Sequence, residues 1–229
     1  MIRAIALDID GTITHDNRRL DVAAVKAVRK AEDSGISICL ATGNILCFAE
    51  ATSVLLGTKG PLISEDGGVV YDQSNGEEHV LGGVEEVDKG IKMLEKKFGN
   101  IQHTGSSKVR RTGRTLERTI SAEDAVQTFK DMGLDVTAVD SGFAIHIRDQ
   151  TVNKGKALEE VASILGISLS EMAAIGDAPN DVEMLQTVNI SFTPANASDE
   201  AKNASTYTTK KPHGRGVKEA INQILEKQE

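Results

Sequence analysis

The sequence predicts an α/β protein: a doubly wound parallel sheet with a smaller α+β domain inserted into it. Short apolar runs alternate with helical patterns up to about residue 67, and the same alternation returns after about residue 152. Between these two parts, from about residue 82, the alternation stops and a hairpin signature appears. Alternating strands and helices indicate parallel strands joined by right-handed crossovers.

The first part of the sheet begins at residues 1–8, a nearly continuous apolar run typical of a strand buried on both faces. Residues 20–34 have the spacing of an amphipathic helix, and Gly35 follows as a stop signal. Apolar runs at 36–41 and 61–64 predict the next two strands, with a helix between them.

The inserted part has a different pattern. Residues 84–98 and 122–132 predict helices, and residues 108–120 form a polar, strand-like segment. Residues 134–139 and 143–148 predict two strands, and the Asp140-Ser141-Gly142 sequence between them is typical of a hairpin. We therefore assign residues 1–81 and 152–229 to an α/β core and residues 82–151 to an inserted α+β lid.

The last part returns to the α/β pattern. Helices are predicted at residues 156–165, 181–188 and 216–227, and strands at residues 172–175 and 189–192. Ligands of such sheets bind outside the carboxyl ends of the strands. Asp8, Asp10, Thr42 and Glu65 all lie at such ends, so they are expected to share one site.

Composition excludes several classes of protein. The 229 residues carry a net charge of -8 and only 3% aromatic side chains, which disfavours binding to nucleic acid. No apolar run approaches the ~18 residues of a membrane span, and no charged start precedes one. We expect a cytoplasmic protein without nucleic-acid or membrane partners; the oligomeric state cannot be read from the sequence.

The sequence Asp8-Ile9-Asp10-Gly11-Thr12 places two carboxylates at the end of the first strand. They can face a common point if the chain turns just after Asp8, and Gly11 permits that turn. One carboxylate can then act as nucleophile on phosphorus and the other as general acid and base.

Asp177 and Asp181 follow another predicted strand, in Gly176-Asp177-Ala178-Pro179-Asn180-Asp181. Carboxylate oxygens without nearby thiols suit a hard octahedral cation, and Mg²⁺ fits best. The alternative for Asp181 alone is an acidic residue favoured at a helix start by the macrodipole.

Thr42-Gly43 and Lys154 complete the candidate site. Thr42 offers a hydroxyl and a backbone N–H at the end of the second strand, and Lys154 offers one mobile cation at a helix start. Taken singly, these residues are better explained as a threonine cap and a surface lysine.

Together, these four motifs resemble the haloacid dehalogenase superfamily of phosphohydrolases, in order and in placement. The insertion lies where that family carries its larger cap domain, so the resemblance covers the whole chain. Ile63-Ser64-Glu65-Asp66-Gly67 resembles the E-N-G turn of the Cof-type branch, with Asp66 where Asn is usual. Asn44 stands where that branch often has Arg, which affects only a secondary phosphate contact.

The resemblance implies the roles of the site residues. Asp8 is the nucleophile and a metal ligand; Asp10 is the general acid and then the base, and its backbone carbonyl binds the metal. Thr42, Gly43 and Lys154 hold the phosphoryl oxygens. Asp177 binds Mg²⁺, and Asp181 supports the metal directly or through water.

The resemblance implies a Mg²⁺-dependent phosphatase that acts on a small phosphorylated metabolite through a phospho-aspartate. The short chain and small lid resemble archaeal phosphoglycolate phosphatases, which implies 2-phosphoglycolate as substrate. A sugar-phosphate phosphatase (for example for sucrose phosphate) and a phosphomutase remain alternatives. A signalling receiver domain is disfavoured, because Asp10 and the insertion suit hydrolysis rather than a stable phospho-aspartate.

A basic segment lies in the lid of this acidic protein: Lys108, Arg110, Arg111, Arg114 and Arg118. It is either a solvated strand face or the source of one arginine that points into the active site. In the second case an Arg fork would match a substrate carboxylate with two parallel hydrogen bonds.

Overall fold

The structure is a computed structural model and describes residues 1–227. In this part of the chain the strands are β1 (Ala4–Asp8), β2 (Ser37–Ala41), β3 (Leu62–Ser64), β4 (Val69–Asp72), β5 (Glu77–Val80), β6 (Gly113–Leu116), β7 (Val136–Asp140), β8 (Ile145–Asp149), β9 (Met172–Ile175), β10 (Ile190–Thr193) and β11 (Tyr207–Thr208). The α-helices are α1 (Val22–Asp33), α2 (Leu46–Leu56), α3 (Glu85–Phe98), α4 (Ala122–Asp131), α5 (Lys154–Leu165), α6 (Val182–Thr187), α7 (Asp199–Ala204) and α8 (His213–Glu226).

The larger sheet has the order β11-β10-β9-β1-β2-β3-β4-β5. All neighbouring pairs from β11 to β3 are parallel, and the pairs β3–β4 and β4–β5 are antiparallel. The predicted doubly wound α/β fold is confirmed. The reversal of strand order at β1 makes the carboxyl end of this strand the expected ligand crevice.

The central strand β1 is buried on both faces, as its continuous apolar sequence indicates. Ile5 and Leu7 point into a core formed with α1, α2 and α8. Ala4 and Ala6 point into the opposite core, formed with α5, α6 and α7. The small side chains on one face and the large ones on the other fix how the sheet lies between its two helix layers, and therefore where Asp8 emerges.

The inserted part forms a second sheet with the order β6-β8-β7, and the predicted hairpin is the antiparallel pair β7–β8. Helices α3 and α4 cover one face of this sheet around the fully buried Phe129. The strand in segment 108–120 is shorter than expected, because a 3₁₀ turn, Ser107–Val109, occupies the start of the segment and only Gly113–Leu116 pairs as a strand. That residues 82–151 are a separate lid domain remains a prediction.

Sequence reasoning missed the hairpin of β4 and β5, the helix α7 and the edge strand β11. The sequence of β5, Glu-Glu-His-Val, has no apolar alternation because it is a largely exposed edge strand. Helix α7 has six residues and buries only Ala201, so its hydrophobic pattern is too short to recognise. Among the described residues, each helix is too short or too polar to cross a membrane.

Candidate active site

Asp8 ends β1 and lies in the register of Ala41 at the end of β2, so it is buried at the centre of the sheet edge. Its Oδ1 accepts a hydrogen bond from Lys154 Nζ at 2.7 Å. Its Oδ2 is buried and has no hydrogen-bond partner among the described residues. One oxygen of this carboxylate is therefore fixed by a cation while the other is left for a ligand.

Lys154 is completely buried, not on the surface, and bridges two carboxylates. Its Nζ also donates to Asp181 Oδ1 at 2.6 Å. Burial alone would lower the pKa of Lys154, but Asp181 and then Asp8 raise it above its usual value. The ammonium group is therefore held charged beside Asp8.

Asp181 is held by both of its oxygens. Oδ1 faces Lys154, and Oδ2 accepts from the backbone N–H groups of Asp177 and Ala178 at 2.9 and 3.0 Å. A Cβ on Gly176 would come within 2.6 Å of Asp181 Cγ, so the strand end has room for this carboxylate only because residue 176 is glycine. Asp181 thus shapes the turn that carries Asp177.

Asp177 completes an acidic cluster with Asp8 and Asp181, in which one oxygen from each residue lies within 4.8 Å of the others. Thr12 Oγ1 donates to Asp177 Oδ1 at 2.5 Å. Gly11, at φ +90°, lets the backbone pass so close that a Cβ there would lie 2.4 Å from Asp177 Oδ2. The predicted turn at Gly11 therefore exists, and it makes room for a carboxylate of another strand.

Burial and mutual repulsion disfavour the ionised forms of this cluster. Burial, followed by the charge of Asp181, raises the pKa of Asp8 well above its usual value, against the opposing effect of Lys154. The same two causes raise the pKa of Asp177 to about 7. Three carboxylates beside one ammonium leave an excess of negative charge that a divalent cation would neutralise.

Asp10 stands apart from this cluster and has its own supports. Asn44 Nδ2 donates to Asp10 Oδ2 at 2.7 Å, and Arg18 Nε donates to Asp10 Oδ1 at 2.9 Å. Asn44, the residue after Thr42-Gly43, therefore contacts the carboxylate of Asp10. Asp10 is held in place from two sides.

Thr42 and Gly43 form the loop after β2. Thr42 Oγ1 accepts a hydrogen bond from the backbone N–H of Asn44 at 3.0 Å. The backbone N–H of Thr42 donates to the carbonyl oxygen of Ile63 at 2.8 Å. A Cβ on Gly43 would lie 2.6 Å from the His146 ring and 2.8 Å from Asp66 Oδ1, so glycine is needed here. The loop is therefore packed directly beneath the inserted part of the chain.

The turn after β3 has two consecutive non-glycine residues in the left-handed region, Glu65 (φ 52°) and Asp66 (φ 58°). This conformation costs free energy for residues with a Cβ, so the surrounding contacts must hold it. The Glu65 carboxylate accepts from the backbone N–H groups of Arg111 and Thr112 and from the Thr112 hydroxyl, at 2.9–3.0 Å for the shortest contacts. The turn ties the core to the chain entering β6.

Asp66 is the centre of a buried network, which we call the Asp66 junction: Asp66, Arg110, His146 and Asn180. His146 Nδ1 lies 2.5 Å from Asp66 Oδ2, Arg110 Nη2 donates to the same oxygen at 3.4 Å, and Asn180 Nδ2 donates to Oδ1 at 2.9 Å. Burial alone would raise the pKa of Asp66, but the charge and hydrogen bond of His146, followed by Arg110, lower it far below its usual value. Asp66 is therefore an ionised link between the core and the inserted part.

A cavity of about 320 Å³ lies between the two sheets. Asp8, Asp10 and Gly43 line it from the core, and Arg110 and His146 line it from the inserted part. The further lining residues include Arg18, Asn44, Thr104, Thr115, Glu117, Ser141, Phe143 and Asn180. Both parts of the chain thus contribute to one partly open cavity beside Asp8.

Of the residues predicted from the sequence, Asp8, Lys154, Asp177 and Asp181 are brought into one cluster, and Asn44 joins Asp10 to Thr42 beside it. Sequence reasoning assigned no role to Arg18 or His146 and named Asn44 only as a departure from a pattern. The contacts of Asn44 with Asp10 and of His146 with Asp66 join distant parts of the chain, so spacing carries no signal for them. Arg18 lies only eight residues from Asp10, but in a loop without a recognisable motif. Asn180 lies within the motif at residues 176–181, and its position beside Asp181 is the one sequence signal that places it near the site.

Comparison with known proteins supports the resemblance. The sequence profile of the haloacid dehalogenase-like hydrolases matches residues 5–123 and 85–221. The chain is 40% identical to the phosphoglycolate phosphatase of Methanothermobacter thermautotrophicus over 224 residues, covering 98% of this chain and 99% of the relative. It is 41% identical to that of Archaeoglobus fulgidus over 219 residues, covering 96% and 95%.

Solved structures agree with this relationship. A Thermoplasma acidophilum protein superimposes with a TM-score of 0.84 at 26% identity, covering 99% of this chain and 97% of that one. A haloacid dehalogenase-like hydrolase from Bacillus subtilis gives a TM-score of 0.82 at 19% identity, covering 98% and 100%, which shows the shared fold. The chain that carries this acidic cluster and Lys154 therefore belongs to the haloacid dehalogenase-like hydrolases, as its motifs indicated.

Proposed function

We propose that this enzyme is a Mg²⁺-dependent phosphatase that hydrolyses 2-phosphoglycolate to glycolate and phosphate through a phospho-aspartate on Asp8. The observation that carries the proposal is the state of Asp8: one oxygen is fixed by Lys154, the other is unpartnered, and the side chain lines the cavity. The 35–41% identity to archaeal phosphoglycolate phosphatases across nearly the whole chain supports the choice of substrate.

The acidic cluster fits a magnesium ion. Its donors are carboxylate oxygens, which Mg²⁺ prefers, and the unpartnered Oδ2 of Asp8 offers a free ligand atom. Asp8 and Asp177 would hold the ion together with the backbone carbonyl of Asp10. Asp181 has both oxygens engaged by Lys154 and backbone N–H groups, which favours a supporting role through water. When bound, Mg²⁺ supplies positive charge against the phosphate oxygens and lets a carboxylate approach them.

In the first step, an oxygen of Asp8 attacks phosphorus, the bond from phosphorus to the ester oxygen breaks, and Asp10 gives its proton to the departing glycolate oxygen. In the second step, Asp10 takes a proton from a water molecule that attacks the same phosphorus. The bond to Asp8 then breaks, and phosphate leaves. Each displacement is easier than direct attack of water on the ester.

The supports of Asp8 and Asp10 fit these roles. Lys154 lies 2.7 Å from Asp8 and reduces the repulsion between this carboxylate and the incoming phosphate. Asn44 and Arg18 donate to the two oxygens of Asp10 and so hold this carboxylate at the cavity wall. Thr42 and Gly43 would bind the phosphoryl oxygens from the end of β2.

We further propose that residues 82–151 act as a lid that closes over the cavity and selects the substrate. The Asp66 junction and the Glu65 contacts join this part to the core on one side of Asp8. The cavity of about 320 Å³ is at the small end of ligand sites. This size suits a two-carbon ester better than a disaccharide phosphate.

The test is steady-state kinetics of the purified enzyme on 2-phosphoglycolate, sucrose phosphate, other sugar phosphates and p-nitrophenyl phosphate, with and without Mg²⁺. We expect the highest kcat/KM for 2-phosphoglycolate, at least ~10-fold above the sugar phosphates. Preference for a sugar phosphate would refute the substrate but not the mechanism. Transfer of phosphate to a second sugar without release would indicate a mutase, and absence of turnover on every ester would refute a phosphatase.

A further inference from the structure

One arginine of the basic segment differs from its neighbours. Arg110 is buried, with 3% of its side chain exposed, and lines the cavity that contains Asp8. The other arginines are engaged outside that cavity: Arg111 pairs with Glu78, Arg114 with Asp88 and Arg118 with Asp140. Burial of a guanidinium at a cavity wall is unusual unless the group has partners there.

The known partners of Arg110 leave part of the guanidinium free. Nη1 donates to the Gly43 carbonyl at 2.8 Å, and Nη2 donates to Asp66 at 3.4 Å. Nε is buried and has no hydrogen-bond partner among the described residues. A guanidinium has five N–H donors, so three remain for a ligand without breaking either contact.

The contact with Gly43 places Arg110 next to the proposed phosphate site. Thr42-Gly43 follows β2, whose last residue, Ala41, is in register with Asp8. In 2-phosphoglycolate a single methylene separates the carboxylate from the ester oxygen. A group that recognises this carboxylate must therefore contact the residues around the phosphate, and Arg110 does so.

The other charges around the cavity make Arg110 the best candidate. Arg18 is the other arginine in the wall, but it is half exposed and its Nε is held by Asp10. Glu117, an exposed side chain in the same wall, and Asp10 would repel a carboxylate placed near them. His146 and Ser141, joined at 3.0 Å, lie on the same side of the cavity as Arg110 and offer further polar atoms.

We propose that Arg110 determines specificity by binding the carboxylate of the substrate, with the guanidinium held in place by Gly43 and Asp66. This inference rests on the proposed function, because it assumes that the substrate carries a carboxylate beside its phosphate. An arginine fork gives two parallel charge-assisted hydrogen bonds to a carboxylate, whereas a lysine gives a point charge. Replacement by lysine should therefore weaken recognition without removing the positive charge.

The test compares two esters that differ only at the carboxylate: 2-phosphoglycolate and 2-hydroxyethyl phosphate. For each enzyme we take the ratio of kcat/KM for the two esters, because the fraction of folded enzyme cancels in this ratio. The variants are Arg110→Lys, Arg110→Ala and, as a neighbouring control outside the cavity, Arg111→Ala. Arg18→Ala serves as the competing candidate.

We expect the wild-type ratio to favour 2-phosphoglycolate, and both Arg110 variants to lower this ratio at least 10-fold. Arg111→Ala should leave the ratio unchanged. If the wild type favours 2-phosphoglycolate but the Arg110 variants keep its ratio, or Arg18→Ala alone lowers it, Arg110 is only a link between core and lid. If the wild type shows no preference, the proposed substrate is wrong, and the carboxylate role of Arg110 is wrong with it.

Discussion

Two buried carboxylates, Asp8 in the cavity wall and Asp66 in the Asp66 junction, have surroundings that shift their pKa values in opposite directions. Burial, followed by the charge of Asp181, raises the pKa of Asp8 well above its usual value, and Lys154 opposes this shift without reversing it. Burial acts on Asp66 in the same direction, yet His146 and Arg110 reverse it and lower the pKa. The difference lies in the charge balance around each group.

This contrast separates a reactive site from a structural one. At the Asp66 junction one carboxylate meets an imidazole, a guanidinium and an amide, so its charge is compensated within the protein. At Asp8 three carboxylates share one ammonium, and an oxygen is left without a partner. The core cluster is thus complementary to an added cation and a phosphate, whereas the charge of Asp66 is already balanced by His146 and Arg110.

The largest expected effect comes from exchanging Asp for Asn at Asp8. We expect Asp8→Asn to lower kcat by at least ~10⁴-fold, because an amide oxygen is a far weaker nucleophile toward phosphorus than a carboxylate. The same change removes one of three crowded negative charges, so the melting temperature in EDTA should not fall. The measurement is steady-state kinetics together with thermal unfolding of the same protein samples.

A matched control for this variant is Asp33→Asn at the exposed end of α1, which should change neither quantity. An Asp8→Asn enzyme that keeps a tenth of the wild-type rate would refute the nucleophilic role. A variant that loses both activity and several degrees of melting temperature would place Asp8 on the structural side of the comparison.

Removal of the metal should have the next largest effect. EDTA should lower kcat/KM at least ~100-fold, because the cation supplies several kcal/mol of charge stabilisation in the transition state. Excess Ca²⁺ should inhibit, since its larger and looser coordination shell misplaces the carboxylate and the phosphate. Full activity in EDTA would contradict the prediction.

Binding can be measured without turnover. At 100 times its Kd, Mg²⁺ should stabilise the folded protein by about 2.7 kcal/mol. Each kcal/mol raises the melting temperature of a protein of this size by roughly 2–4 °C. Asp177→Asn should reduce this shift, while Asp33→Asn should retain it. An equal shift in wild type and Asp177→Asn would mean that the ion binds elsewhere.

The two sites also differ in how far the sequence predicts them. Asp8 and Thr42 were predictable as neighbours because both end adjacent strands of a parallel sheet, and the carboxyl ends of such strands share one edge. The contacts of Lys154 with Asp8 and Asp181 could not be derived from spacing; the resemblance to a family supplied the link. Its complete burial was not predicted either, because lysine is almost always exposed.

The Asp66 junction was beyond sequence reasoning. Asp66 was visible only as an exchange of Asp for Asn in a turn, and its partners Arg110 and His146 come from different strands and loops of the inserted part. Their meeting depends on how two sheets are placed relative to each other, and hydrophobic periodicity carries no information about that. The number of basic residues in one segment was informative, but not which of them turns inward.

The smallest expected effect concerns the junction itself. Asp66→Asn keeps the shape of the side chain but removes the charge that faces His146, Arg110 and, at longer range, Lys154. We expect Asp66→Asn to lower the free energy of unfolding at pH 5 by about 1.5–3 kcal/mol, because a hydrogen bond to a charged group contributes about this much. Thermal unfolding of wild type and variant at pH 5 and at several lower pH values measures this difference.

The pH dependence of this difference tests the cause. The pKa of Asp66 in the folded protein lies far below the value of about 3.9 expected for an unfolded chain. Below about pH 4 the unfolded state therefore binds a proton that folded Asp66 does not, and the stabilisation is lost as the pH falls, by about 1.4 kcal/mol per pH unit. The wild-type advantage over Asp66→Asn should be full at pH 5 and about half to nearly absent at pH 3. A constant advantage down to pH 3 would show that Asp66 acts through packing, and the charge contrast between the two buried carboxylates would no longer explain their different roles.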